Sequence, residues 1–206
     1  MVRTPLAFLP LLSLLVPALS HAQEPALDQT SPEESHRGQF GIHAQIGSGY
    51  RGIFPYDNEY CGSPQEGADS DFCSNRTPLF LDLGLSYRVL DRLDVFLEMR
   101  LGLESDFGVN EASDDGPRNR HYSPGLKIYF REGGSLKVFS TLQFVLDTTG
   151  YEQTDDSDLA VKNITGIQID PHRTVGVYFF FGETVGWSRW LRFEIEGGLG
   201  LQARFP

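Results

Sequence analysis

Beyond its opening two dozen residues the sequence has no long apolar run, and nothing in it approaches the roughly 20 successive apolar residues of a spanning helix. Any passage through a membrane would have to be made by strands, which satisfy their backbone there only as a closed barrel. Cysteine is almost absent, with Cys61 and Cys73 the only two, set among Gly, Ser, Pro and Asp. Positive charge is also scarce: 17 Lys and Arg face 28 Asp and Glu, for a formal net charge of -11. That balance excludes nucleic acid as a partner, because phosphates would be repelled. No glycine-rich loop sits between a strand and a helix, so nucleotide chemistry has no support, and no cofactor is implied.

The first residues read as an export signal. Arg3 provides a weakly positive start, Leu6 to Pro17 a short apolar core, and Ser20-His21-Ala22 the small residues that precede cleavage before Gln23. Residues 1–22 are therefore expected to be removed, and residues 23–37, acidic and nearly devoid of apolar side chains, to be a disordered lead-in. No Cys follows the cleavage point, which disfavours a lipid anchor. In an exported chain the pair Cys61 and Cys73 reads as a disulfide, since a metal site would want further ligands nearby.

From Gln39 onward the chain alternates apolar and polar residues in segments of about ten, the period of strands with two different faces. The last segment is the clearest: Phe193, Ile195, Leu199, Leu201 and Phe205 share one face, Arg192, Glu194, Glu196, Gln202 and Arg204 the other. Leu93, Val95, Leu97, Met99 and Leu101 interleave in the same way with Asp94, Phe96, Glu98 and Arg100. A helix would scatter both sets around its circumference. Six further segments repeat the split with varying clarity. The segment from Val175 to Gly182 is apolar on both faces, and Asn163 interrupts the apolar row of the segment from Leu159 to Ile169. The gaps between segments alternate long and short, except that the last, from Val185 to Arg189, is fairly short. Antiparallel neighbours joined by tight turns at one end and long loops at the other predict an all-β, eight-stranded, antiparallel up-and-down barrel over residues 38–206.

Periodicity leaves open which face points inward. A soluble lipocalin-like barrel would bury the apolar set around a ligand; a membrane barrel would turn it to lipid. Three features favour lipid. The polar faces carry both signs of charge, at Asp82, Arg88, Glu98, Arg100, Lys127, Lys137, Arg192, Glu194, Glu196 and Arg204, and such a set could pair inside a narrow lumen. Tyr87, Tyr122, Phe130, Trp187 and Phe205 fall near strand ends, where membrane barrels place aromatic girdles. The chain also finishes on a full-length alternating strand.

Over Gln39 to Pro206 the sequence resembles the small eight-stranded outer-membrane protein family of the OmpA transmembrane domain and OmpX type, on its export signal, alternating segments, loop asymmetry and the ending Leu199-Gly200-Leu201-Gln202-Ala203-Arg204-Phe205. The resemblance implies an outer-membrane location, contact with outer-membrane lipid and lipopolysaccharide, and Phe205 as the signal that the barrel-assembly machinery recognises. Pro206 after that Phe departs from the family's aromatic ending.

The residues offer little chemistry. His121-Tyr122-Ser123 resembles the His-Tyr-Ser stretch of the lipid A deacylases, outer-membrane esterases, and a His and a Ser two residues apart share a strand face. By the alternation, however, both point into the lumen while a lipid substrate lies outside, and the family's following Asn is Pro124 here. The segments between strands are acidic, with Asp57, Glu59, Glu66, Asp69 and Asp71, then Asp106, Glu111, Asp114 and Asp115, then Glu152, Asp155, Asp156 and Asp158. Hard divalent cations such as calcium or magnesium prefer such oxygens, although the spacing matches no calcium loop. The expectation is a non-enzymatic outer-membrane barrel acting in envelope integrity or surface interaction, with a narrow channel or carrier as the alternative.

Overall fold

In a computed structural model, which describes residues 37–54, 72–105, 118–130, 135–150 and 157–205, these segments form β1 (Phe40–Phe54), β2 (Cys73–Leu90), β3 (Leu93–Ser105), β4 (Arg118–Tyr129), β5 (Leu136–Asp147), β6 (Asp158–His172), β7 (Val175–Gly186) and β8 (Leu191–Phe205). Each strand pairs antiparallel with the next, and β8 returns to β1 to close the barrel. The export segment, the remainder of the lead-in, Cys61 and all the loop acids named above except Asp158 lie outside the described residues, and of Cys73 only the backbone is described.

The register fixes the slope of the strands. Following paired residues from Gly41 through Ser86, Phe96, Gly125, Gln143, Lys162, Thr184 and Glu194 leads back to Arg51, ten residues further along β1. With strands spaced about 4.8 Å apart and rising about 3.3 Å per residue, that offset tilts them by about 40°. Every residue on this path except the glycines carries its side chain into the lumen.

The face question is answered by exposure. Outward residues are large and apolar, among them Leu85, Leu97, Phe130, Leu142, Phe179, Ile195 and Leu201, whereas Asp82, Arg100, Glu196 and Lys162 are buried within. A soluble barrel would reverse this, so the lipocalin-like alternative is set aside. Tyr87, Phe130 and Phe205 ring the end with the tight turns, joined by Phe40, whose ring centre lies 4.9 Å from that of Tyr87 at a tilt of 48°, and Tyr122 and Trp187 stand toward the end with the long connections.

At that second end the strands outrun their apolar pattern. The alternation places the end of the first strand near Tyr50, the start of the second after Pro78 and the start of the fourth after His121. Pairing continues instead to Phe54, from Cys73 and from Arg118. Past the hydrocarbon an outward side chain no longer has to be apolar, so the ladder persists through exposed Ser74, Asn75 and Arg76 after the apolar signal has stopped. Asp158 is corrected likewise: rather than a loop acid it is the first residue of β6, buried, and its Oδ1 accepts from Ser188 and Arg189 backbone N–H groups at 3.0 Å each.

Inside the barrel, large rings lie against glycine on the adjoining strand. Phe80 pairs with Gly47, Phe96 with Gly125, Phe139 with Gly166, Tyr178 with Gly200 and Phe180 with Gly198. Eight tilted strands leave a lumen only wide enough for side chains, and a ring fits where its cross-strand neighbour has none. A Cβ on Gly198 would lie 2.0 Å from the Ile46 carbonyl oxygen and 2.8 Å from the Phe180 ring. Gly198→Ala is therefore expected to cost about 3 kcal/mol or to block folding, while Gly150→Ala, where a Cβ meets nothing within 4 Å, should stay within about 0.5 kcal/mol of wild type. Urea titration of folded protein in detergent measures both, and equal midpoints would contradict the packing described.

Candidate functional site

The lumen holds charged residues in three levels. Midway, Arg100 reaches across from β3 and grips two carboxylates. Its Nε and NH2 donate to Asp82 at 2.7 and 2.9 Å, and its NH1 and NH2 to Glu196 at 2.8 and 3.0 Å. The planar fork of a guanidinium suits such bidentate contacts, and the face of this one lies 3.4 Å from the centre of the Phe80 ring. Lys162 joins from β6, with Nζ 2.5 Å from Glu196 and 3.6 Å from Asp82, and Glu98 in turn meets His43 Nε2 at 3.1 Å. Gln45 donates to Asp82 at 2.9 Å and accepts from the Tyr178 hydroxyl at 3.1 Å.

Toward the long-loop end Arg192 binds Asp147 at 2.5 Å and Asp158 at 3.2 Å, with Arg51 and Glu194 beside it at 3.7 Å from each other. Buried Trp190, from the β7–β8 connection, covers this level, and the Arg189 guanidinium lies 5.3 Å from its ring. Toward the short-turn end Arg88 pairs with Asp94 at 2.5 Å, and Asp170 receives Lys137 at 2.9 Å and Arg204 at 3.1 Å. Lys127 stands apart from the carboxylates: its Nζ donates to Gln168 at 3.2 Å and sits 4.0 Å from the Phe139 ring, 5.0 Å from Tyr178 and 5.1 Å from Tyr129. Above it a small cavity of about 20 Å³ is lined by His43, Gln45, Phe96, Glu98, Lys127 and Gln143.

All ten charged residues expected on the polar faces thus lie in the lumen, and nine of them join ion pairs there. The pattern did not single out Lys162 or Arg51, whereas it placed Asp147 on the polar face of its segment. Lys162 was hidden because Asn163 breaks the apolar row beside it, and Arg51 because it stands where the alternation fades. Nor did it reveal the inward rings Phe80, Tyr129 and Phe139, since an aromatic next to apolar neighbours gives no period of 2.

His121 and Ser123 are both buried in the lumen at 4% exposure. The imidazole Nε2 lies 3.3 Å from Asp147, which Arg192 already holds, and no hydrogen bond joins it to Ser123. A nucleophile needs its base within bonding reach and its substrate in contact, and this hydroxyl has neither a partner base nor a path to lipid. Among the described residues no three His, Cys, Asp or Glu side chains are placed to hold a metal ion.

A closed antiparallel barrel that is apolar outside and ion-paired within is a small membrane-spanning barrel, and this chain has the fold of the eight-stranded outer-membrane type. It is similar to the N-terminal β-barrel domain of Pseudomonas aeruginosa OprF, with a TM-score of 0.53 and 11% identity over 82% of this chain and 98% of that one. It is likewise similar to Neisserial surface protein A (NspA), with a TM-score of 0.52 and 11% identity over 82% of this chain and 100% of that one. At such identity the likeness is one of fold. No family model and no curated protein sequence matches the chain.

Breaking the central cluster should be costly, because a buried carboxylate left without its cation is worse than no pair at all. Arg100→Met, which leaves Asp82 and Glu196 to Lys162 alone, is expected to destabilise the barrel by about 3–5 kcal/mol. Arg76→Met, removing an exposed pair with Glu104, should cost under about 1 kcal/mol. Equal urea midpoints for the two variants in lipid vesicles would refute the central role of Arg100.

Proposed function

We propose that this chain is a non-enzymatic, non-conducting barrel of the bacterial outer membrane, contributing to envelope integrity or to surface interactions through its long-loop end. The observation that carries this reading is Arg100 bound at once to Asp82 on β2 and Glu196 on β8, a bridge across the lumen closed by Phe80, Lys162 and the level of Arg192 above it. A solute would have to part several buried ion pairs to pass. The lumen chemistry also argues against hydrolysis of a lipid, since His121 and Ser123 face away from the bilayer. What remains available to partners is the lipid-facing wall and the loops, whose acids suit divalent cations bridging to lipopolysaccharide, while Phe205, outward at the end of β8, suits recognition by the assembly machinery.

The alternative reading, a narrow conduit or carrier for a small solute, has only the cavity of about 20 Å³ above Lys127 to work through, room for about one water molecule. Planar-bilayer recording separates the two. The wild-type barrel is expected to give no discrete conductance steps, whereas Arg100→Ala combined with Lys162→Ala, if it folds, should leak. Reproducible wild-type steps would sink the non-conducting reading. The enzymatic alternative is tested by lipid A mass analysis of cells carrying wild type and Ser123→Ala, for which identical spectra are expected.

A further inference from the structure

Between the two girdles the outward side chains are apolar apart from Ser48, which donates to the Thr77 carbonyl at 2.7 Å, and one diagonal of polar residues. That diagonal runs from Ser140 on β5 through Thr165 and Asn163 on β6 to Glu183 on β7. In the β7 row it falls among Val175, Val177, Phe179, Phe181 and Val185, so Glu183 stands inside the hydrocarbon band, below Trp187. Glu183 is exposed and makes no hydrogen bond or ion pair among the described residues. Ionisable groups that face lipid are costly, and where they persist they mark a function.

The neighbours of Glu183 hold the matching donors. Asn163 is its direct partner in the β6–β7 register. Its Nδ2 donates to the Thr141 carbonyl at 2.7 Å and to Ser140 Oγ at 3.1 Å, and its Oδ1 lies 3.5 Å from Thr165 Oγ1. The geometry points to a lateral contact between two copies of this chain, related by a two-fold axis along the membrane normal between β6 and β7. In it Glu183 of each copy accepts the Asn163 Nδ2–H that a single copy gives to Ser140.

Three features support a second copy as the occupant. A two-fold contact must be self-complementary, and this patch carries an acceptor with no donor beside a donor with an exchangeable acceptor. An axis along the normal preserves height, and residues paired across strands spaced about 4.8 Å apart and tilted by about 40° differ in height by about 3 Å, so Glu183 and Asn163 meet nearly level. A carboxylate is also a stronger acceptor than a hydroxyl, which favours the exchange. Around the polar centre, Leu142, Val161, Phe181, Val185 and Ile195 form an apolar rim, and small Ser140 and Gly197 allow close approach, as at other contacts within membranes. An acyl chain offers Glu183 no donor.

The test is single-molecule photobleaching of the fluorescently labelled full chain in phosphatidylcholine vesicles over a range of protein-to-lipid ratios. Wild type is expected to show two-step bleaching that grows with protein density. Glu183→Leu and Asn163→Leu should each move the monomer–dimer equilibrium at least tenfold toward monomer while keeping the heat-modifiable gel mobility of a folded barrel. Leu97→Ala, on the opposite wall, should leave the equilibrium unchanged. Single-step bleaching of wild type at every density, or a dimer indifferent to Glu183→Leu, would overturn the proposal. So would photo-crosslinking from Phe181 in cells that yields only adducts to a different protein.

Discussion

A backbone that crosses hydrocarbon has no water to bond to, and each unpaired N–H or C=O there costs several kcal/mol, on the order of what a small protein has in total stability. Closure of β8 onto β1 removes the two edges at which such groups would be left, and the rest of the molecule follows from that closure. Eight strands displaced by ten residues around the circuit enclose a lumen of one size, too narrow for a free column of water and too wide to leave empty. Aromatic rings fill it where the adjoining strand carries glycine, as with Phe180 over Gly198 and Phe139 over Gly166. Charged side chains fill it where long stems and forked ends can reach across, as with Arg100.

Placing charges inside reverses the economy of a soluble protein and imposes its own rule. In water a lone Arg is harmless; within this barrel it must find carboxylates, and they must come from other strands. Arg100 joins β3 to β2 and β8, Lys162 brings in β6, and Arg192 on β8 holds Asp147 on β5 and Asp158 on β6. These two clusters therefore tie strands far apart in sequence. A buried ion pair adds little net stability over a well-packed apolar core, but the alternatives it forbids are numerous, since a register slip of one residue would turn Arg100 or Glu196 to lipid. The charges select the register more than they strengthen the fold.

This explains why the architecture was legible in the sequence and the contents of the lumen only in part. Lipid on one side and side chains on the other enforce a period of 2 wherever a strand crosses hydrocarbon, so the segments ending in Phe205 and containing Leu93 to Leu101 declare themselves. The signal fails where that pressure stops. β1 past Tyr50 and β2 before Pro78 are paired strands without an apolar row, and Asp158 reads as a loop acid because its partners Ser188 and Arg192 are some thirty residues away. It weakens again where both faces are apolar: the alternation sets Phe180 and Phe181 on opposite faces, but neither ring says by itself which face meets lipid. Which Arg meets which Asp is set by shear and tilt, quantities that belong to the closed barrel and to no single segment.

The same reasoning accounts for a fold shared with other barrels at 11% identity. The outward row needs only to be apolar, and Leu, Val, Ile and Phe serve equally. The lumen needs only to be filled and neutralised, and a fork from β3 gripping β2 and β8 is one of many arrangements that would do both. Neither demand fixes particular residues, so sequence drifts while strand number, register and alternation hold. A position that breaks the general rule then carries more information than one that obeys it. Arg100 and Glu196 satisfy the demands of closure and would be replaceable by another neutral cluster. Glu183 satisfies none of them: it neither fills the lumen nor suits lipid, and a contact beyond the single barrel is what gives it a partner.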